Sequence, residues 1–102
     1  MNDSVILKAR YTAVPGTDAE YGQGAIERCD LRHREIERFV WLIAVDQPGD
    51  AAEWQKKLNA AVDPKHGAFA VGRASPEEEA AVRSGKIELA AVTERLVHRA
   101  LL

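Results

Sequence analysis

Between Arg38 and Phe39 the chain changes character across one peptide bond. The twelve residues from Glu27 to Arg38 carry eight charges, and the next seven, Phe39-Val40-Trp41-Leu42-Ile43-Ala44-Val45, are all apolar. No proline or glycine separates the two blocks. The apolar run is β-branched and aromatic, which predicts a central strand over 38–46 covered on both faces. The charged block is built from good helix formers, which predicts a helix over 25–36. A long antiparallel hairpin, 25–32 pairing with 36–46, is the alternative, because Ile36, Val40, Leu42 and Ala44 then share one face.

Upstream, Val5, Leu7, Ala9, Tyr11 and Ala13 alternate with Lys8, Arg10 and Thr12, the period-2 pattern of a half-buried strand over 4–13, ended by Pro15-Gly16. A local echo follows: Val14-Pro15-Gly16-Thr17-Asp18-Ala19-Glu20-Tyr21 resembles Gln47-Pro48-Gly49-Asp50-Ala51-Ala52-Glu53-Trp54. In each copy an oxygen-bearing side chain precedes a glutamate by three, the spacing of a helix start. The second copy opens an amphipathic helix over 50–62. The first contains Gly22 and Gly24, each costing about 1 kcal/mol relative to alanine in a helix, so 17–24 reads as a turn or short helical piece.

Asp63-Pro64-Lys65-His66-Gly67 marks a turn and Ala68 to Gly72 a short strand. Ser75-Pro76-Glu77-Glu78 is a serine cap with proline at the first helical position, predicting a helix over 76–83. A last helix is expected over 87–101, with Leu89, Val92 and Leu96 facing inward. These elements predict one α+β domain spanning 1–102, with a small mixed sheet of strands 4–13, 38–46 and 68–72. Three strands cover so apolar a centre thinly, and completion of the core by a homodimer is expected.

Net charge is −2, from 14 basic and 16 acidic residues, which gives no long-range field for nucleic acid. The arginines 28, 32, 34 and 38 lie among Glu27, Asp30, Glu35 and Glu37 and are cancelled by them. That block reads as a solvent or partner surface, with Arg34 and Arg38 as contact candidates. Cys29 is the only cysteine, so no intrachain disulfide forms, which fits a reducing compartment. No apolar run approaches the ~20 residues of a membrane span, and the N-terminus lacks a basic, apolar signal pattern. A cytoplasmic location is expected.

Catalytic and metal motifs are weak. His33-Arg34-Glu35 has the His-x-Glu form of zinc deaminases without their Pro-Cys-x-x-Cys segment, and the histidines at 33, 66 and 98 show no ligand spacing. Cys29 and His33 would be one turn apart on a helix, yet no third orienting group accompanies them. Gly22-Gln23-Gly24 lacks the third glycine of a dinucleotide loop, with Glu27 in its place. No metal, cofactor or catalytic residue is therefore assigned. The expected function is a binding or regulatory module acting through protein–protein contact, with Trp54 as an anchor. The alternative is a small enzyme or ligand-binding domain whose pocket forms from loops 15–24 and 63–67, bringing Tyr21 and His66 together.

Overall fold

The computed structural model describes residues 4–16 and 20–90. Along the chain they form β1 (Ser4–Ala13), α1 (Glu20–Arg28), β2 (Arg32–Glu37), β3 (Val40–Asp46), α2 (Ala51–Ala60), β4 (Gly67–Arg73) and α3 (Pro76–Arg83). The strands build one sheet in the order β2-β3-β1-β4, every neighbouring pair antiparallel. The sheet is thus antiparallel rather than mixed. Each of the two helical crossovers, β1-α1-β2 and β3-α2-β4, spans an intervening strand, which is the split β-α-β arrangement.

The α+β class holds, and the seam folds differently from either expectation. Residues 25–36 are not one helix, and 25–32 is not a strand. The helix lies earlier, from Glu20 to Arg28, and Asp30 ends it at φ 57°, in the left-handed region where helices commonly stop. Residues 17–24 are therefore helical from Glu20 onward. The charged residues downstream then pair with the apolar run, Arg32 opposite Ala44, Arg34 opposite Leu42 and Glu35 opposite Trp41. So polar a strand is tolerated because β2 stands at a sheet margin. Register shifts between Glu35 and Glu37, and Phe39 closes the turn at φ 66°. That position usually takes glycine or asparagine, and a phenylalanine there costs about 1–2 kcal/mol. Tyr11 N–H donating to the Phe39 carbonyl at 2.9 Å helps to hold it.

Helices α1 and α2 pack on one face of the sheet, where Leu7, Ala9, Trp41, Ile43, Ile26 and Leu58 are buried together. The second face carries a smaller cluster, Ile6, Leu42 and Ala74, covered by Val82 of α3 and by Ile87 and Leu89. Residues 87–90 are not helical: Ala90 exchanges backbone hydrogen bonds with His33 and adds a bridge outside β2. The rest of the helix expected over 87–101 lies outside the described residues.

Helix α2 starts as expected, with Asp50 accepting from Ala52 N–H at 2.9 Å, and ends at Ala60, two residues early. Its polar side chains serve β4. Asn59 accepts from Phe69 N–H at 2.7 Å and donates to the Phe69 carbonyl at 3.2 Å, while Gln55 accepts from Val71 N–H at 2.9 Å. Helix α3 carries the full capping box, Ser75 accepting from Glu78 N–H and Glu78 accepting from Ser75 N–H.

Glu78 also accepts from the Lys8 ammonium at 2.8 Å, tying α3 to β1. The Lys8 bond, then the Ser75 backbone bond, hold the Glu78 carboxyl below its ordinary range. A carboxyl depressed in the folded state contributes stability above its unfolded pKa and loses it as pH falls through the folded value. Glu78→Ala is expected to cost about 1 kcal/mol at pH 7. The gap to the parent protein should narrow as pH falls below about 4 in urea titrations at stepped pH; a gap independent of pH would show that the carboxylate contributes no charge-dependent stability.

Candidate functional site

The site is built from three elements that each contribute one side chain to a buried polar chain. His33 is 1 % exposed. It lies on the helix-covered face of β2, opposite Ile43. Trp41 Nε1–H donates to Gln23 Oε1 at 2.7 Å, Gln23 Nε2 meets His33 Nε2 at 2.9 Å, and His33 Nδ1 meets the Leu31 carbonyl at 2.8 Å. Both ends fix the direction of every link, because an indole N–H only donates and a carbonyl only accepts. Gln23 must therefore present its oxygen to Trp41 and its amide N–H to His33. The ring then accepts at Nε2 and carries its proton on Nδ1. One N–H of the Gln23 amide takes no part in the chain.

A cleft of about 380 Å³ opens over this chain, between α1 and the β2–β3 hairpin. Gln23, His33 and Trp41 line it from below, and Phe39 adds an aromatic wall. Glu20 comes from the first turn of α1, Glu35 from β2 and Arg38 from the hairpin turn. Arg38 sits 4.8 Å from the centroid of the Phe39 ring. The chemistry offered is recognition: the fixed Gln23 amide dipole, the Glu35 carboxylate, the Arg38 guanidinium and the Phe39 ring. The volume falls in the range of small-ligand pockets.

A larger depression, about 510 Å³, lies on the opposite face between Ile6, Ala44 and Val82. Its arginines are already engaged. Arg83 pairs with Glu79 at 3.0 Å and donates to the Ser4 carbonyl, and Arg32 reaches the Leu89 carbonyl. The smaller cleft is the stronger site because Glu35 and Arg38 on its rim have no ion-pair or hydrogen-bond partner among the described residues.

Of Trp54, Tyr21, His66, Arg34 and Arg38, the contact and pocket candidates read from sequence, Arg38 alone lines the cleft. Tyr21, in the first turn of α1, and His66 do meet. Their rings stack at 3.7 Å and 8°, each covering the surface that a ligand ring would use. Trp54 packs at the margin of the main core with Lys57 Nζ 4.3 Å from its ring centroid. Arg34 is exposed on the other sheet face, opposite Leu42. Gln23, His33, Glu20, Glu35 and Phe39 were not foreseen as a site. The one sequence sign was His33 and Glu35, two alternate polar residues that a strand places on the core-facing side.

Cys29 follows α1 and His33 lies in β2, so they do not share a helix. Burial raises the Cys29 thiol above its ordinary range, outweighing the opposing charges of Arg28 and Lys57. That is the reverse of nucleophile activation. Among the described residues no group of three His, Cys, Asp or Glu side chains has metal-binding geometry, and no helix is long and apolar enough to cross a membrane.

No family model, curated protein or solved structure matches this chain. Its chemistry must be read from its own residues.

Beneath the Tyr21–His66 stack lies Tyr11, 3 % exposed, with Gly22 against its ring and Gly67 against its hydroxyl. That hydroxyl has no hydrogen-bond partner among the described residues, and burial, then the neighbouring Tyr21, raise its pKa. Removing an unpartnered buried hydroxyl relieves a desolvation cost. Tyr11→Phe is expected to leave stability unchanged or raise it by up to about 1 kcal/mol in urea unfolding. A loss of that size would reveal a bond to the hydroxyl.

Proposed function

We propose that this domain binds a small polar molecule in the cleft above Gln23, His33 and Trp41. The observation that carries the reading is the directed chain from the Trp41 indole to the Leu31 carbonyl. A polar chain inside a hydrophobic core holds its members in one arrangement when every link is satisfied, and here it aims an amide at the cleft. This reading keeps the ligand-binding alternative drawn from sequence and moves it away from the 15–24 and 63–67 loops. It assigns no bond-making step.

The test is a titration of the full chain with free amino acids, short carboxylates, simple amines and nucleosides, followed by nitrogen-15 NMR. A ligand in the cleft is expected to shift the Trp41 indole N–H saturably, with the Trp54 indole as an internal control. If no compound moves the Trp41 signal, the cleft is not a binding site.

A second reading, protein–protein contact with this chain or another, has Trp54 as its support, since the residue is only partly buried. A two-fold assembly in light scattering at tens of micromolar, lost on Trp54→Ala, would favour it.

A further inference from the structure

We infer that the ligand of this cleft is a small zwitterion, a molecule carrying an ammonium and a carboxylate close together on an apolar body; this rests on the cleft being a binding site. Two of its rim residues, Glu35 and Arg38, are opposite in charge and do not pair with each other. Neither Glu35 nor Arg38 has an ion-pair or hydrogen-bond partner among the described residues, although they stand three positions apart on one hairpin and line one cavity. Charges that neighbour without pairing remain available to an outside molecule.

The Gln23 amide lines the same cavity as Arg38; its orientation is set by Trp41 and His33, and its second N–H can donate to an acceptor. Guanidinium and amide N–H together suit a carboxylate. Glu35 of β2 lines the same cavity. Its carboxylate suits an ammonium and repels an anion that brings no cation with it. Phe39, half-buried, supplies apolar surface for the rest of the ligand. An anion alone meets Glu35 with the wrong sign; a cation alone leaves the Arg38 and Gln23 donors unused. Only a molecule with both charges matches the whole rim. The cavity, about 380 Å³, has room for one of amino-acid size.

The test uses matched probes that share a body and differ in charge: L-phenylalanine, 3-phenylpropanoate and phenethylamine, with L-alanine, propanoate and ethylamine as the small-bodied set. Each is titrated into the full chain at pH 7 and followed by the Trp41 indole N–H. In at least one set the zwitterion is expected to bind about tenfold or more tightly than either singly charged analogue, which corresponds to about 1.4 kcal/mol. Glu35→Gln should bring the zwitterion's affinity down toward that of the carboxylate, and Arg38→Gln toward that of the amine. Both variants alter rim positions, and circular dichroism checks that they fold as the parent does. A singly charged analogue that binds as well as its zwitterion overturns the inference while leaving the cleft as a binding site. Absence of response to both sets, with a response to another compound class, overturns it equally. Silence of the Trp41 signal toward every compound removes the cleft reading itself.

Discussion

Alanine at Gly22 is expected to destabilise the domain by about 1–3 kcal/mol, whereas alanine at Gly24, two residues along the same helix, should stabilise it by up to about 1 kcal/mol. Helix propensity alone gives both substitutions the same favourable sign. The surroundings separate them. A Cβ on Gly22 would stand 2.8 Å from the Tyr11 ring and 3.1 Å from Trp41, both held in the core. A Cβ on Gly24 would meet only the guanidinium end of Arg28, at 3.2 Å, and that flexible side chain can move aside. Urea unfolding of the two single variants decides the matter. If both gain stability, α1 does not lie against Tyr11 and Trp41 as described.

The other large effect belongs to the polar chain. Gln23→Leu removes the acceptor of the Trp41 indole and the donor to His33 in one step, stranding both groups. Each unsatisfied group costs about 1–3 kcal/mol where water is excluded; Gln23 is only partly buried, so about 2–3 kcal/mol in total is expected. Adding His33→Leu removes one of the stranded groups, so the double variant should lose less than the sum of the two single losses. A double-mutant cycle measures that coupling. Strict additivity, or a loss below about 0.5 kcal/mol for Gln23→Leu, would mean that the three side chains do not act as a chain.

The same residues show why parts of the architecture were legible and the site was not. Strands β1 and β3 announce themselves by alternation and by an unbroken apolar run, and α3 by its serine, proline and glutamates. Each of those signals is local. Helix α1 was obscured because Gly22 and Gly24 weaken its intrinsic propensity. For Gly22 the reason is tertiary: its missing side chain makes room for Tyr11 and Trp41. Strand β2 was obscured because its charges suit a helix surface as well as they suit a sheet margin. The Arg38-Phe39 turn, with Phe39 at φ 66°, carries none of the usual glycine or asparagine punctuation. The site draws Gln23 from a helix, His33 from one strand and Trp41 from another, and no spacing along the chain encodes that meeting. Tyr21 and His66, candidates for a pocket between two loops, stack on each other, while the cleft opens over the hairpin.

The amide side chains of Asn59 and Gln55 take the place that another strand's backbone would hold beside β4. The outward N–H groups of Phe69 and Val71 are therefore sealed by a helix, and an incoming chain would have to displace that helix before it could add to the sheet. Solvent hydrogen faces the same obstacle. Deuterium uptake at Phe69 and Val71 then times the lifting of α2 from the sheet, and those two amides become a clock for the opening of this half of the molecule.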